Sequence, residues 1–146
     1  MQAGTRSNSL QSTEIKLQRI TYVEDEPDIR MLAELIMREL GGFEVDACSC
    51  GREALERTHT FNPDLIILDV MMPEMDGVQL YGRLREDPQL AHTPIIFMTA
   101  KAQPTEVRRY QELGAIAVVP KPFDPATLIQ ELQDIWQTHR RCARLA

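Results

Sequence analysis

The sequence predicts an α/β fold: a doubly wound parallel sheet of five strands with helices on both faces. Two observations carry that expectation. Five short apolar segments alternate along the chain with five stretches of helical spacing, the signature of βα units. Runs such as residues 65–68 (LIIL) and 95–98 (IIFM) are continuously apolar, as strands buried on both faces of a parallel sheet are. Right-handed crossovers leave few ways to wind such a sheet.

Residues 1–17 are polar, with no sustained period, and read as a flexible tail. Ile20, Tyr22 and Val23 form the first strand, ending in Glu24-Asp25-Glu26. Pro27 opens a helix whose expected apolar stripe is Ile29, Leu32, Ala33, Ile36 and Leu40, closed by Gly41-Gly42. Phe43, Val45 and Ala47 alternate as a second strand, and residues 51–60 form a short helix with Ala54 and Leu55. Pro63 introduces the third strand, which stops abruptly at Asp69. The loop to Gly77 leads into a helix carrying Val78, Tyr81 and Leu84, ended by Asp87-Pro88.

Residues 94–98 form the fourth strand, followed by Thr99-Ala100-Lys101. Pro104 opens the next helix, which carries Val107, Tyr110 and Leu113 and ends at Gly114. Residues 116–119 form the fifth strand, and Asp124-Pro125 starts the last helix with the stripe Leu128, Leu132, Ile135 and Trp136. The domain is expected to span residues 18–139, with a short tail at 140–146 whose RRCARLA reads as a natural terminus.

A chain of 146 residues has length for one well-buried core and no second domain of usual size. Its 43% hydrophobic and 26% charged residues are those of an ordinary globular protein, and a net charge of −6 argues against a nucleic-acid surface. No apolar run approaches the roughly 18 residues of a membrane span, and the N-terminus lacks a signal-peptide core. Cys48, Cys50 and Cys142 lack zinc-type spacing and read as reduced thiols of a cytoplasmic protein, with Cys48 and Cys50 facing one side of a strand. His59, His92 and His139 have no ligand-type neighbours in sequence and are assigned no metal role.

In an open parallel sheet, ligands bind beyond the carboxyl ends of the strands. The polar residues found there are Glu24 and Asp25 after strand one, Asp69 after three, Thr99 after four and Lys121 after five. Gathered carboxylates repel unless a cation or protons intervene. Oxygen ligands in this number suit Mg²⁺ better than Ca²⁺. Thr99 and Lys121 supply a hydroxyl and a point charge suited to a transferred phosphoryl group, for which one Asp is the nucleophile. Taken singly, Asp25 is more commonly a helix cap, Thr99 a turn hydroxyl and Lys121 a solvated lysine, and Asp69 is open between a turn cap and a site residue; it is their joint occurrence that points to a site.

The segments VEDEPDIR, PDLIILDVMMPEMDG, PIIFMTAK and VVPKPFDP, in this order, resemble the receiver domain of two-component response regulators, over about residues 18–137. That resemblance implies a flavodoxin-like fold with strand order 2-1-3-4-5. It also implies phosphoryl transfer to Asp69 from a histidine kinase or a histidine phosphotransfer protein. By position, Asp25 and Asp69 would hold Mg²⁺ with the main-chain carbonyl of Met71, Glu24 acting mainly through water. Thr99 and Lys121 would contact the phosphoryl group. The resemblance further implies a cis Lys121–Pro122 bond, loop-shaping roles for Pro73 and Gly77, a monomer or weak phosphorylation-dependent dimer, and a partner surface on helices four and five beside strand five.

The chain departs from the family pattern at two points. Glu24 stands where many receivers have Asp, and Val118 stands where many have the Tyr or Phe that follows the Thr. Met71 and Lys101 border the path of attacking water, and an apolar Met71 is expected to lengthen the phosphorylated state. Two other function classes fit the sequence less well. A phosphatase with an Asp nucleophile needs a second acid at the position of Met71. A phosphorylation-independent pseudo-receiver is disfavoured by intact Asp25, Asp69, Thr99 and Lys121.

Overall fold

A computed structural model describes residues 15–145 of the chain. Five strands, β1 (Arg19–Val23), β2 (Glu44–Cys48), β3 (Leu65–Asp69), β4 (Ile95–Thr99) and β5 (Ala117–Pro120), form one sheet. Every neighbouring pair is parallel, in the order β2-β1-β3-β4-β5. The helices are α1 (Pro27–Glu39), α2 (Gly51–Phe61), α3 (Gly77–Arg85), α4 (Pro104–Leu113) and α5 (Leu128–Leu145), with a 3-10 turn at Pro88–Leu90. This is the expected flavodoxin-like fold.

Two apolar layers flank the sheet. One joins Ile20, Tyr22, Ile67 and Met98 to α1 and α5 through Ala33, Leu128 and Trp136. The other joins Ile66, Leu68 and Phe97 to α2, α3 and α4 through Ala54, Leu80 and Tyr110. Strands β3 and β4 are buried along their whole length, which is why their sequences are continuously apolar. At roughly 25 cal/mol per Å² of apolar surface, these layers dominate the stability of the fold.

Several helix faces differ from the expected stripes. On α1 the buried residues are Ala33, Ile36 and Met37, whereas Leu32 and Leu40 are exposed. Met37 lies one residue beyond Ile36, and a stripe drawn through Leu32 and Leu40 runs off the face that meets the sheet. Leu113 is likewise exposed at the end of α4. The last helix starts at Leu128 rather than at Pro125: Asp124 accepts a hydrogen bond from the Ala126 amide in a turn that precedes it. It then continues to Leu145, past residue 139.

The expected N-terminal tail lies mostly outside the described residues. Of its last three residues, Leu17 is buried in the core and the Ile15 carbonyl accepts a hydrogen bond from Trp136 Nε1 at 3.0 Å. Among the described residues no helix is long and apolar enough to cross a membrane. All three cysteines are free, with Cys48 buried, Cys50 half-buried and Cys142 exposed.

Candidate functional site

Parallel winding brings the ends of β1, β3, β4 and β5 to one edge of the sheet. There the structure gathers Glu24, Asp25 and Asp69, with carboxylate oxygens within 4.8 Å of one another. Glu24, Asp69 and Thr99 are all but fully buried. Lys121, 97 residues from Glu24, reaches back with Nζ 2.9 Å from Glu24 Oε1 and 3.3 Å from Asp69 Oδ1. Glu24, Asp25, Asp69 and Lys121, from the ends of β1, β3 and β5, therefore meet in one place.

Local structure holds each of them. Asp69 is the last residue of β3, and the Met71 amide approaches its Oδ1 at 3.3 Å. The Met71 side chain itself is exposed. The loop then passes Glu74, at a positive φ of 67°, and enters α3 through a capping box between Asp76 and Gln79. Thr99 ends β4 and accepts a hydrogen bond from the Lys101 amide at 3.0 Å. The Lys121–Pro122 peptide is cis, as expected.

Electrostatics follow from this crowding. Burial, then repulsion by Glu24, pushes the Asp69 carboxyl up to about 7, against the pull of Lys121. Burial works against the charge on Lys121, but its bond to Glu24 and the attraction of Asp69 outweigh that and raise its pKa. Three acids face one lysine, so the site lacks positive charge. Asp69 Oδ2 is also buried with no hydrogen-bond partner, an arrangement that costs free energy unless something binds there. An all-oxygen donor set with one orphaned carboxylate oxygen fits a small hard divalent cation.

Two contributors had no signal in the sequence pattern. Arg30, on α1, donates to the main-chain carbonyls of Glu24 at 2.8 Å and Asp25 at 3.3 Å, pinning the loop that carries both acids. Tyr22, whose apolar neighbours mark it only as a strand residue, donates its hydroxyl to Glu24 Oε1 at 3.4 Å. Away from the site, His59 does have a carboxylate partner, Asp87 at 2.6 Å, in a lone pair that ties α2 to the α3–β4 loop. Val118 pairs in register with Phe97, and the rings of Tyr81 and Tyr110 lie 5.8 and 5.1 Å from that of Phe97. The aromatic rings in this region therefore come from β4, α3 and α4, not from β5.

A family profile described as response regulator receiver domain matches residues 20–133. The chain belongs to that family. Receiver domains are signalling domains of two-component systems. Among curated relatives, the response regulator Rre1 of Synechocystis is 35% identical over 109 residues, covering 75% of this chain and 47% of that protein. The transcriptional regulatory protein SrrA of Staphylococcus aureus is 41% identical over 110 residues, covering 75% of this chain and 44% of its own. The chain thus matches about half the length of these relatives. Among solved structures, the chemotaxis protein CheY4 of Vibrio cholerae superposes with a TM-score of 0.75 at 32% identity, covering 82% of this chain and 98% of that one. A response regulator from Chloroflexus aurantiacus gives 0.74 at 31% identity, covering 84% and 99%. For this receiver domain, the matched residues include all the strand-end groups described above.

Proposed function

We propose that the chain is a phosphoacceptor switch in which Asp69 takes a phosphoryl group from a phosphohistidine on a histidine kinase or histidine phosphotransfer protein. The observation that carries this reading is the cluster itself: Glu24, Asp25 and Asp69 together, Lys121 against Asp69, and Asp69 Oδ2 buried and unbonded. An Asp69 oxygen forms the new O–P bond while the N–P bond to the histidine breaks. The departing imidazole nitrogen keeps that electron pair and takes up a proton from solvent.

The side chains of Asp25 and Asp69 and the Met71 carbonyl would hold Mg²⁺, with Glu24 acting mainly through water; the ion would supply neutralising charge beside the transferring oxygens. Lys121 pairs with the phosphoryl group and the Thr99 hydroxyl donates to it. Bound phosphate adds about −1.5 to −2 charge, to which Thr99 and Lys121 respond, biasing the faces of α4 and α5 beside β5 for a downstream effector. The protein turns over no substrate other than its own phosphoryl group. It works as a monomer or weak phosphorylation-dependent dimer in the cytoplasm, which its free thiols fit.

Incubation with acetyl phosphate and Mg²⁺ tests the proposal by mass. One labile phosphoryl adduct is expected, absent in Asp69→Asn and without divalent cation. An unmodified wild-type chain would instead favour a phosphorylation-independent interaction module.

A further inference from the structure

We propose that Tyr22 is a positioning residue of the acid cluster, its hydroxyl holding the Glu24 carboxylate in the orientation from which it pairs with Lys121 and faces the metal ligands. This rests on reading the cluster as a Mg²⁺ site. Tyr22 lies inside β1, fully buried, with its ring in the core beneath α1 and α5. A buried phenol needs a hydrogen-bond partner. Its partner is Glu24 Oε1, two residues on and therefore on the same face of the chain.

Glu24 is fully buried as well. Its Oε1 takes both the Tyr22 hydroxyl and Lys121 Nζ, and its Oε2 takes the Glu26 amide at 3.2 Å. Of these donors, Lys121 is the one a phosphoryl group on Asp69 would draw away. Tyr22 is then the side-chain donor that stays. An ordinary phenol is protonated throughout the neutral range, so the donor persists there. Were Glu24 to swing out, it would leave a buried hydroxyl unpaired, which is unfavourable.

The pairing also gives a physical role to the glutamate at position 24. Aspartate there would be shorter by one methylene, about 1.5 Å, and its carboxylate would fall outside reach of a hydroxyl already 3.4 Å away. Tyr22 and Glu24 thus work as a matched pair, with reach supplied by one and anchorage by the other.

The test is a double-mutant cycle on the full chain with Tyr22→Phe, Glu24→Asp and both together. Mg²⁺ binding is followed by calorimetry, and the Mg²⁺ dependence of labelling by acetyl phosphate is followed by mass. Tyr22→Phe is expected to raise the Mg²⁺ dissociation constant roughly fivefold or more, less than the roughly 10–100-fold of partners behind direct metal ligands, since Glu24 acts mainly through water. The same factor is expected in the apparent Mg²⁺ constant for labelling, with the rate recovered at saturating Mg²⁺. In the Glu24→Asp background the Tyr22→Phe change is expected to add nothing. Wild-type affinity in Tyr22→Phe, or an equal loss in both backgrounds, overturns the inference while leaving the proposed function standing. A wild-type chain that is labelled but binds no Mg²⁺ overturns the metal reading and this inference together.

Discussion

Asp69 is held in a place that opposes its charge. It is 1% exposed, beside Glu24, and its folded-state pKa of about 7 lies above the roughly 3.9 of an exposed aspartate. Folding therefore binds a proton between those values. The stability that protonated Asp69 contributes is complete below about pH 4 and is lost as the pH rises through 7. Asp69→Asn keeps the shape without the charge. In Mg²⁺-free buffer at pH 8 it is expected to stabilise the domain against urea by on the order of 1–3 kcal/mol, and at pH 4 by nothing. Equal urea midpoints of the two proteins at pH 8 would contradict this account. Two residues on, Met71 presents an exposed apolar side chain at the mouth of the site, with nothing to hydrogen-bond an approaching water. Met71→Asn is expected to shorten the lifetime of the phosphorylated protein several-fold, measured as phosphate loss after removal of the phosphodonor. Identical lifetimes would remove Met71 from any control of the signal.

The elements were legible where their signals are local. Continuous apolar runs marked β3 and β4, Pro27 and Pro104 opened α1 and α4, and Gly114 closed α4 at a φ of 123° that side chains avoid. Which residues of a helix meet the sheet was less legible: α1 offers apolar residues on more than one face, and packing alone selects Met37 over Leu32 and Leu40. The strand-end acids, Thr99 and Lys121 were readable because the parallel fold brings strand ends together. Tyr22 and Arg30 were not, because a phenol in an apolar strand and an arginine on a helix show their function only through the atoms they touch. The junction of β3 and α3 carries its own prediction. A Cβ on Gly77 would collide with the Asp69 carbonyl oxygen and lie 2.9 Å from Val70 Cα, both of them backbone atoms with little freedom to yield. Gly77→Ala is expected to cost about 1–3 kcal/mol in urea unfolding and to slow Asp69 labelling. A variant as stable and as quickly labelled as wild type would show that the loop adjusts freely.

For the whole molecule, the acid cluster acts as a clasp across the sheet. Glu24 and Asp25 follow β1, Asp69 ends β3, and Lys121 follows β5, so groups far apart in sequence are fixed only when the entire domain is folded. A divalent cation recruited by that cluster binds the folded chain and not the unfolded one, and by linkage must stabilise the fold. At ten times its dissociation constant the gain is RT ln 11, about 1.4 kcal/mol, or roughly 3–6 °C in melting temperature for a domain of this size. Because the Asp69 pKa is raised to about 7, protons compete with the cation below that value. The Mg²⁺ shift is therefore expected to be full at pH 8 and much smaller at pH 5. Asp25 is only half-buried and does not pair with Lys121, so Asp25→Asn removes a proposed ligand without opening the core and is expected to abolish most of the shift. Calorimetric melts with MgCl₂, set against NaCl at equal ionic strength, separate binding from screening. If both salts raised the melting temperature alike, or if Asp25→Asn kept the full Mg²⁺ response, the stabilisation would come from relief of the domain's net negative charge rather than from an ion held between β1 and β3.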